Sequence, residues 1–76
     1  MDFIHSLHWQ RKKRFRWEIT EYMIEYAIKN ANAVRDKRWP DLLNAICVII
    51  PPGRPLKVVY RREQGRIKII TAYWMD

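Results

Sequence analysis

From Ile4 to Arg16 the apolar and polar positions recur with helical rather than strand spacing. At 100° per residue, Ile4, His8, Arg11 and Phe15 fall within roughly a 60° sector, with Leu7 beside it. This predicts a first helix over about 4–16 whose sector faces the core, with Trp9, Lys13 and Arg16 on its outer side and Asp2 near its positive end. Trp17 and Glu18 read as a link. Thr20 then has the chemistry of an N-cap for a second helix over about 21–31, with Glu21 in its first turn and Glu25 four residues before Lys29. Ile19, Met23, Tyr26 and Ala27 form its apolar stripe, widened by Ile24 and Ile28.

Beyond Asn32 the period changes. Residues 33–39 suit a short edge strand that Pro40 and Asp41 interrupt, because proline lacks the ladder's N–H donor. Ala45 to Ile50 is a continuous, β-branched-rich run, Pro51-Pro52-Gly53-Arg54 is a turn, and Leu56 to Arg62 alternates apolar with partly cationic positions. Glu63-Gln64-Gly65 makes a second turn into a last strand over 66–74. Uninterrupted alternation there puts Ile67, Ile69, Thr71 and Tyr73 on one face. The predicted fold class is α+β: a single domain over 1–76 with two N-terminal helices packed on a three- to four-stranded antiparallel sheet.

Composition narrows the function. A chain of 76 residues that is 49% apolar is globular but small, burying only about 60% of its unfolded surface. Fifteen Lys and Arg against eight Asp and Glu give a net charge of +7, so the expected partner is anionic, with nucleic acid first among the candidates. Cys47, the only cysteine, sits in an apolar run and reads as a small buried hydrophobe. With no apolar run of about 18 residues and no basic-then-apolar leader, the expectation is a cytoplasmic protein without a membrane partner.

Five of the fifteen basic residues crowd into Arg11–Arg16, interleaved with aromatics. Lys12, Lys13 and Arg14 would form a phosphate-tracking face, extended by Arg61, Arg62 and Arg66, and Trp9 and Trp17 would stack on unpaired bases. His8 and Arg11 stand out because a predicted core-facing stripe is an expensive place for cations. Either they have structural partners, His8 at the helix–sheet seam and Arg11 on an acid such as Glu25, or they line a cleft for something negative. His5 and His8 lack a third ligand nearby, so no metal is expected.

The order of His8 and its trailing arginines, Ile19-Thr20 opening a helix, Gly53-Arg54-Pro55-Leu56 leading into a strand, and the closing Ile70-Thr71-Ala72-Tyr73 resembles the small proteins related to the BrnT and RelE type ribonuclease toxins. The resemblance covers nearly the whole chain. It implies a metal-independent, cofactor-free endoribonuclease that cleaves single-stranded RNA, free or on the ribosome, and is restrained by an antitoxin protein. Carried over by position, His8 matches the histidine of the N-terminal helix, Arg11 or Arg16 the arginine after it, and Thr71 and Tyr73 the polar positions of the final strand. Trp17 and Glu18 follow Arg16 where the family has glycine.

Such cleavage needs a base for the 2′-hydroxyl proton, cations for the charge on the pentacoordinate phosphate, and an acid for the leaving oxygen. Histidine serves either proton role and arginine supplies the clamp. The expected catalytic set is therefore His8, Arg11, Arg16, Thr71 and Tyr73. Two rivals use the same charge: a non-catalytic nucleic-acid-binding module, and a basic protein that docks an acidic protein partner.

Overall fold

A computed structural model of the protein describes residues 2–76, which leaves Met1 of the N-terminal reading outside it. The elements run β1 (Phe3–His5), α1 (Leu7–Lys12), α2 (Glu21–Asn30), β2 (Val34–Arg35), β3 (Leu43–Ile49), β4 (Arg54–Glu63) and β5 (Arg66–Trp74). The strands form one sheet in the order β1-β5-β4-β3-β2. Pairing is antiparallel except where β1 lies parallel to β5, Phe3 opposite Ile67 and His5 opposite Ile69.

This overturns the predicted architecture. The described residues are mostly sheet, five strands of mixed direction with two short helices, not two helices on a three- to four-stranded antiparallel sheet. The error begins at the N-terminus, where the expected helix over 4–16 is a strand, a helix of six residues and a chain of turns. Ser6 decides the boundary. Its hydroxyl oxygen accepts the Trp9 N–H at 3.1 Å as an N-cap, and its own O–H donates to the Ile70 carbonyl at 2.9 Å, so helix start and sheet edge share one side chain. The helix closes after Lys12, before Lys13, Arg14 and Arg16 can stack like charges on its surface. Its buried residue is Trp9, 2% exposed, because removing an indole from water outweighs burying the His8 and Arg11 side, which stays exposed with Phe15.

The second helix follows its sequence. Thr20 accepts the Met23 N–H at 3.2 Å, Glu25 pairs with Lys29 at 3.8 Å, and Ile24, Ala27 and Ile28 are buried. They join Trp9, Ile19, Ala45, Ile49, Leu56, Val58, Tyr60, Ile67, Ile69 and Ala72 in one core between the helices and one face of the sheet.

The β4–β5 turn is made by Gln64 and Gly65, at φ 50° and 79°, a pair of left-handed residues that matches the strands' twist. From there Glu63 faces Arg66 and the ladder runs regularly to Tyr60 opposite Ile69; the next pair is Val59 opposite Thr71. Ile70 is thus one residue too many, a β-bulge, and the alternation of β5 changes phase there. Ile67 and Ile69 face the helices, as do Ala72 and Trp74, whereas Thr71 and Tyr73 turn to the opposite, helix-free face. The expected single row Ile67, Ile69, Thr71, Tyr73 is split between two faces. Among the described residues no helix is long and apolar enough to cross a membrane.

Candidate nucleic-acid interface

Register builds the helix-free face from alternate residues. It carries Asn44, Ile46 and Val48 of β3, Lys57, Val59 and Arg61 of β4, and Lys68, Thr71 and Tyr73 of β5. Val59 is 8% exposed and forms the apolar floor. Lys57 and Tyr73 are directly opposite each other, and the Lys57 ammonium stands 5.8 Å from the Tyr73 ring centre.

Arg16 reaches the same ring from the turns after α1. Arg16 N–H donates to Lys13 O, and Ile19 N–H donates back to Arg16 O while the Ile19 side chain is buried, so the turn holds Arg16 beside β5. Its Nη1 donates to Thr71 Oγ1 at 3.3 Å and to the Ala72 carbonyl at 3.1 Å, and its guanidinium carbon lies 5.8 Å from the Tyr73 ring centre. A guanidinium has five N–H donors, so those not spent on β5 can meet an anion. Neither Arg16 nor Lys57 has a salt bridge to an acid among the described residues. Two cations over one aromatic ring, with a threonine hydroxyl beside them, form a constellation that can hold a phosphate and stack a base or ribose.

Other cations are already committed. Arg61 bonds to Glu63 and to Asp41, and these two carboxylates hold its guanidinium pKa above the ordinary value. Arg54 pairs with Asp76 at 3.0 Å and lies over the Trp74 ring at 4.7 Å. Arg66 is exposed at the Glu63 end of the same face, and Arg62, also exposed, falls on the helix side of the strand.

The expected catalytic set divides. Arg16, Thr71 and Tyr73 come together although 55 positions separate Arg16 from Thr71. His8 and Arg11 do not join them. Both are exposed on α1, where Arg11, Lys13 and Arg14 line an open hollow with Leu7 and Gln10. Lys12 is exposed nearby, and Trp17 is 81% exposed, free to stack. Trp9 is not available for stacking, being in the core. His5, set aside by the sequence reading, has its Nδ1 3.1 Å from the Lys13 ammonium. Lys57 was missed outright, although the alternation of 56–62 had placed it on a partly cationic face. Among the described residues no three His, Cys, Asp or Glu side chains gather as a metal site requires.

Comparison with protein-family models, with curated proteins and with solved structures gives no match to this chain.

Proposed function

We propose that the protein binds single-stranded RNA on the helix-free face of its sheet, with phosphates met by Arg16 and Lys57 on either flank of Tyr73 and a nucleoside packed at the Tyr73 ring. The observation that carries this reading is the meeting of two cations without salt bridges over one tyrosine ring. Net charge of +7 draws the polyanion in, and Trp17 and Arg66 extend the contact at the margins.

Cleavage is the second reading. It is favoured by one observation: Thr71 and Tyr73, the final-strand positions singled out by the resemblance to RelE and BrnT type ribonuclease toxins, are the ones that Arg16 touches. There Arg16 and Lys57 would offset the charge on the pentacoordinate phosphate, solvent water would take the 2′-hydroxyl proton as the 2′-oxygen bonds to phosphorus, and Tyr73 would give a proton to the 5′-oxygen as its bond to phosphorus breaks. His8, exposed and apart, is not required for either reading.

Both are tested with labelled single-stranded RNA in EDTA, comparing the wild type with Lys57→Ala, Tyr73→Phe and His8→Ala. Binding predicts that Lys57→Ala weakens affinity and flattens its salt dependence by about 0.7 per lost phosphate contact. Unchanged affinity and slope would remove the site. Cleavage that leaves a 2′,3′-cyclic phosphate and stops in Tyr73→Phe establishes the enzyme; binding without cleavage by the wild type, weakened in Lys57→Ala, establishes the binder. Cleavage lost in His8→Ala would return the chemistry to α1.

A further inference from the structure

Both edge strands of the sheet are short, and the one beside β3 leaves most of that strand uncovered. β2 covers β3 only at Leu43 and Asn44, so from Ala45 to Ile49 the outer side of β3 has no strand among the described residues. Leu42 bonds toward the β2 side, accepting from Asp36 N–H at 2.9 Å and donating to the Trp39 carbonyl at 2.8 Å. In an antiparallel ladder the direction alternates, so Ile46 and Val48 aim their backbone N–H and C=O groups out of that bare edge. Edges of this kind are normally blunted by charge, by proline or by a cover. Here there is none of these within the strand: from Leu42 to Ile50 the chain has no charged residue, in a protein of which 30% is charged.

We infer that this edge is the contact between two copies of the chain, paired antiparallel along β3 about a two-fold axis at Cys47. The bare window, Ala45–Ile49, is symmetric about Cys47, and this register satisfies the outward groups: Ile46 of one copy exchanges both bonds with Val48 of the other. Ala45 then faces Ile49, small against large, and the apolar side chains of Ile46 and Val48, 49% and 53% exposed in the single chain, lie side by side on the helix-free face. Because the strand is uncharged, two chains of net charge +7 meet here without opposing like charges. Lys57 is set back on β4, so two copies of it lie about three strand spacings apart, roughly 14 Å, beyond a Debye length at physiological salt. On the other side of the edge Tyr22, Met23 and Tyr26 line a small hollow with Ile49 and Ile50, which adds contact beyond the strand. Ile50 and Tyr22, 82% and 73% exposed, are the largest exposed apolar side chains bordering the strand. The inference stands on the edge alone and does not depend on RNA binding.

The two-fold register has a chemical signature. Cys47 meets its counterpart in a non-hydrogen-bonded pair, where Cα atoms lie about 4.5 Å apart, within the roughly 4.4–6.8 Å that a disulfide spans. The experiment is sedimentation of the full chain from micromolar to millimolar concentration, with a parallel treatment by diamide, which takes up the two electrons and two protons lost by a pair of thiols. The expected result is a concentration-dependent dimer that diamide locks through Cys47. Val48→Lys and Ile46→Lys, both at half-exposed positions, should each give a monomer that diamide does not crosslink, with the circular dichroism of the wild type. A wild type that stays monomeric and uncrosslinked throughout would overturn the inference, as would a dimer that persists in the folded lysine variants.

Discussion

The two faces of β4 and β5 are made from alternate residues of the same two strands, and they are chemically opposite. Toward the helices, Leu56, Val58, Tyr60, Ile67, Ile69 and Ala72 are buried to the last few per cent and pack on Trp9 and α2. Away from them, Lys57, Thr71 and Tyr73 stay partly in solvent around Val59, with Arg16 brought in from the turns after α1. The first face holds the fold and the second is free for a ligand. One residue, Ile70, decides which side chains of β5 go where, because the bulge moves Thr71 and Tyr73 out of the phase set by Ile67 and Ile69.

The comparison is broken most completely by emptying the helix face at Trp9, 2% exposed, where Trp9→Ala should cost about 3–5 kcal/mol in denaturant titration. Ile69→Ala acts on the helix face alone. It should cost about 2–5 kcal/mol in denaturant titration, whereas Lys57→Ala on the other face should stay within about 0.5 kcal/mol, so that stability and binding separate by face.

Gly65→Ala tests the turn that sets the register of both faces. An added Cβ meets nothing within 4 Å, so its cost of about 1–2 kcal/mol is the left-handed backbone itself. The smallest effect belongs to Asp36, whose carboxyl accepts from the Trp39 N–H, from Asn44 Nδ2 and from the Arg38 N–H, and whose pKa lies below its ordinary value of 3.8 for that reason. A depressed carboxyl pKa stabilises the folded chain above the ordinary value and loses that effect as pH falls through the folded one. Asp36→Asn should therefore melt slightly earlier than the wild type at pH 7, and the gap should close below about pH 3.8.

What was legible in the sequence was local. Thr20 marks the start of α2, and of its expected stripe Ile19 and Ala27 are buried together with the widening residues Ile24 and Ile28, whereas Tyr26 stays 42% exposed; the turns at Gly53 and Gly65 bound the hairpin strands because each glycine occupies a positive φ. The parallel pairing of β1 with β5 was not legible, since three residues have too little periodicity to compete with a helical pattern and their partner lies more than sixty positions away. Nor was the bulge, at which the Ile70 carbonyl accepts from Ser6, 64 positions away. The site followed the same rule. Arg16, Thr71 and Tyr73 were named from the resemblance, but what joins them is the turn after α1 and the phase change at Ile70. His8 and Arg11 were named on the assumption of a helix face that Trp9 occupies instead.

The central claim is that the anion site lies on the helix-free face and not on the basic helix. It is tested most directly by titrating one labelled single-stranded RNA, at fixed salt, against two double variants of equal charge change: Arg16→Ala with Lys57→Ala, and Arg11→Ala with Arg14→Ala. If the account holds, the first pair loses on the order of 10-fold or more in affinity, as two phosphate-contacting cations should, and the second loses only the smaller, nonspecific share. Equal losses, or a larger loss from Arg11 and Arg14, would contradict it and place the ligand on α1.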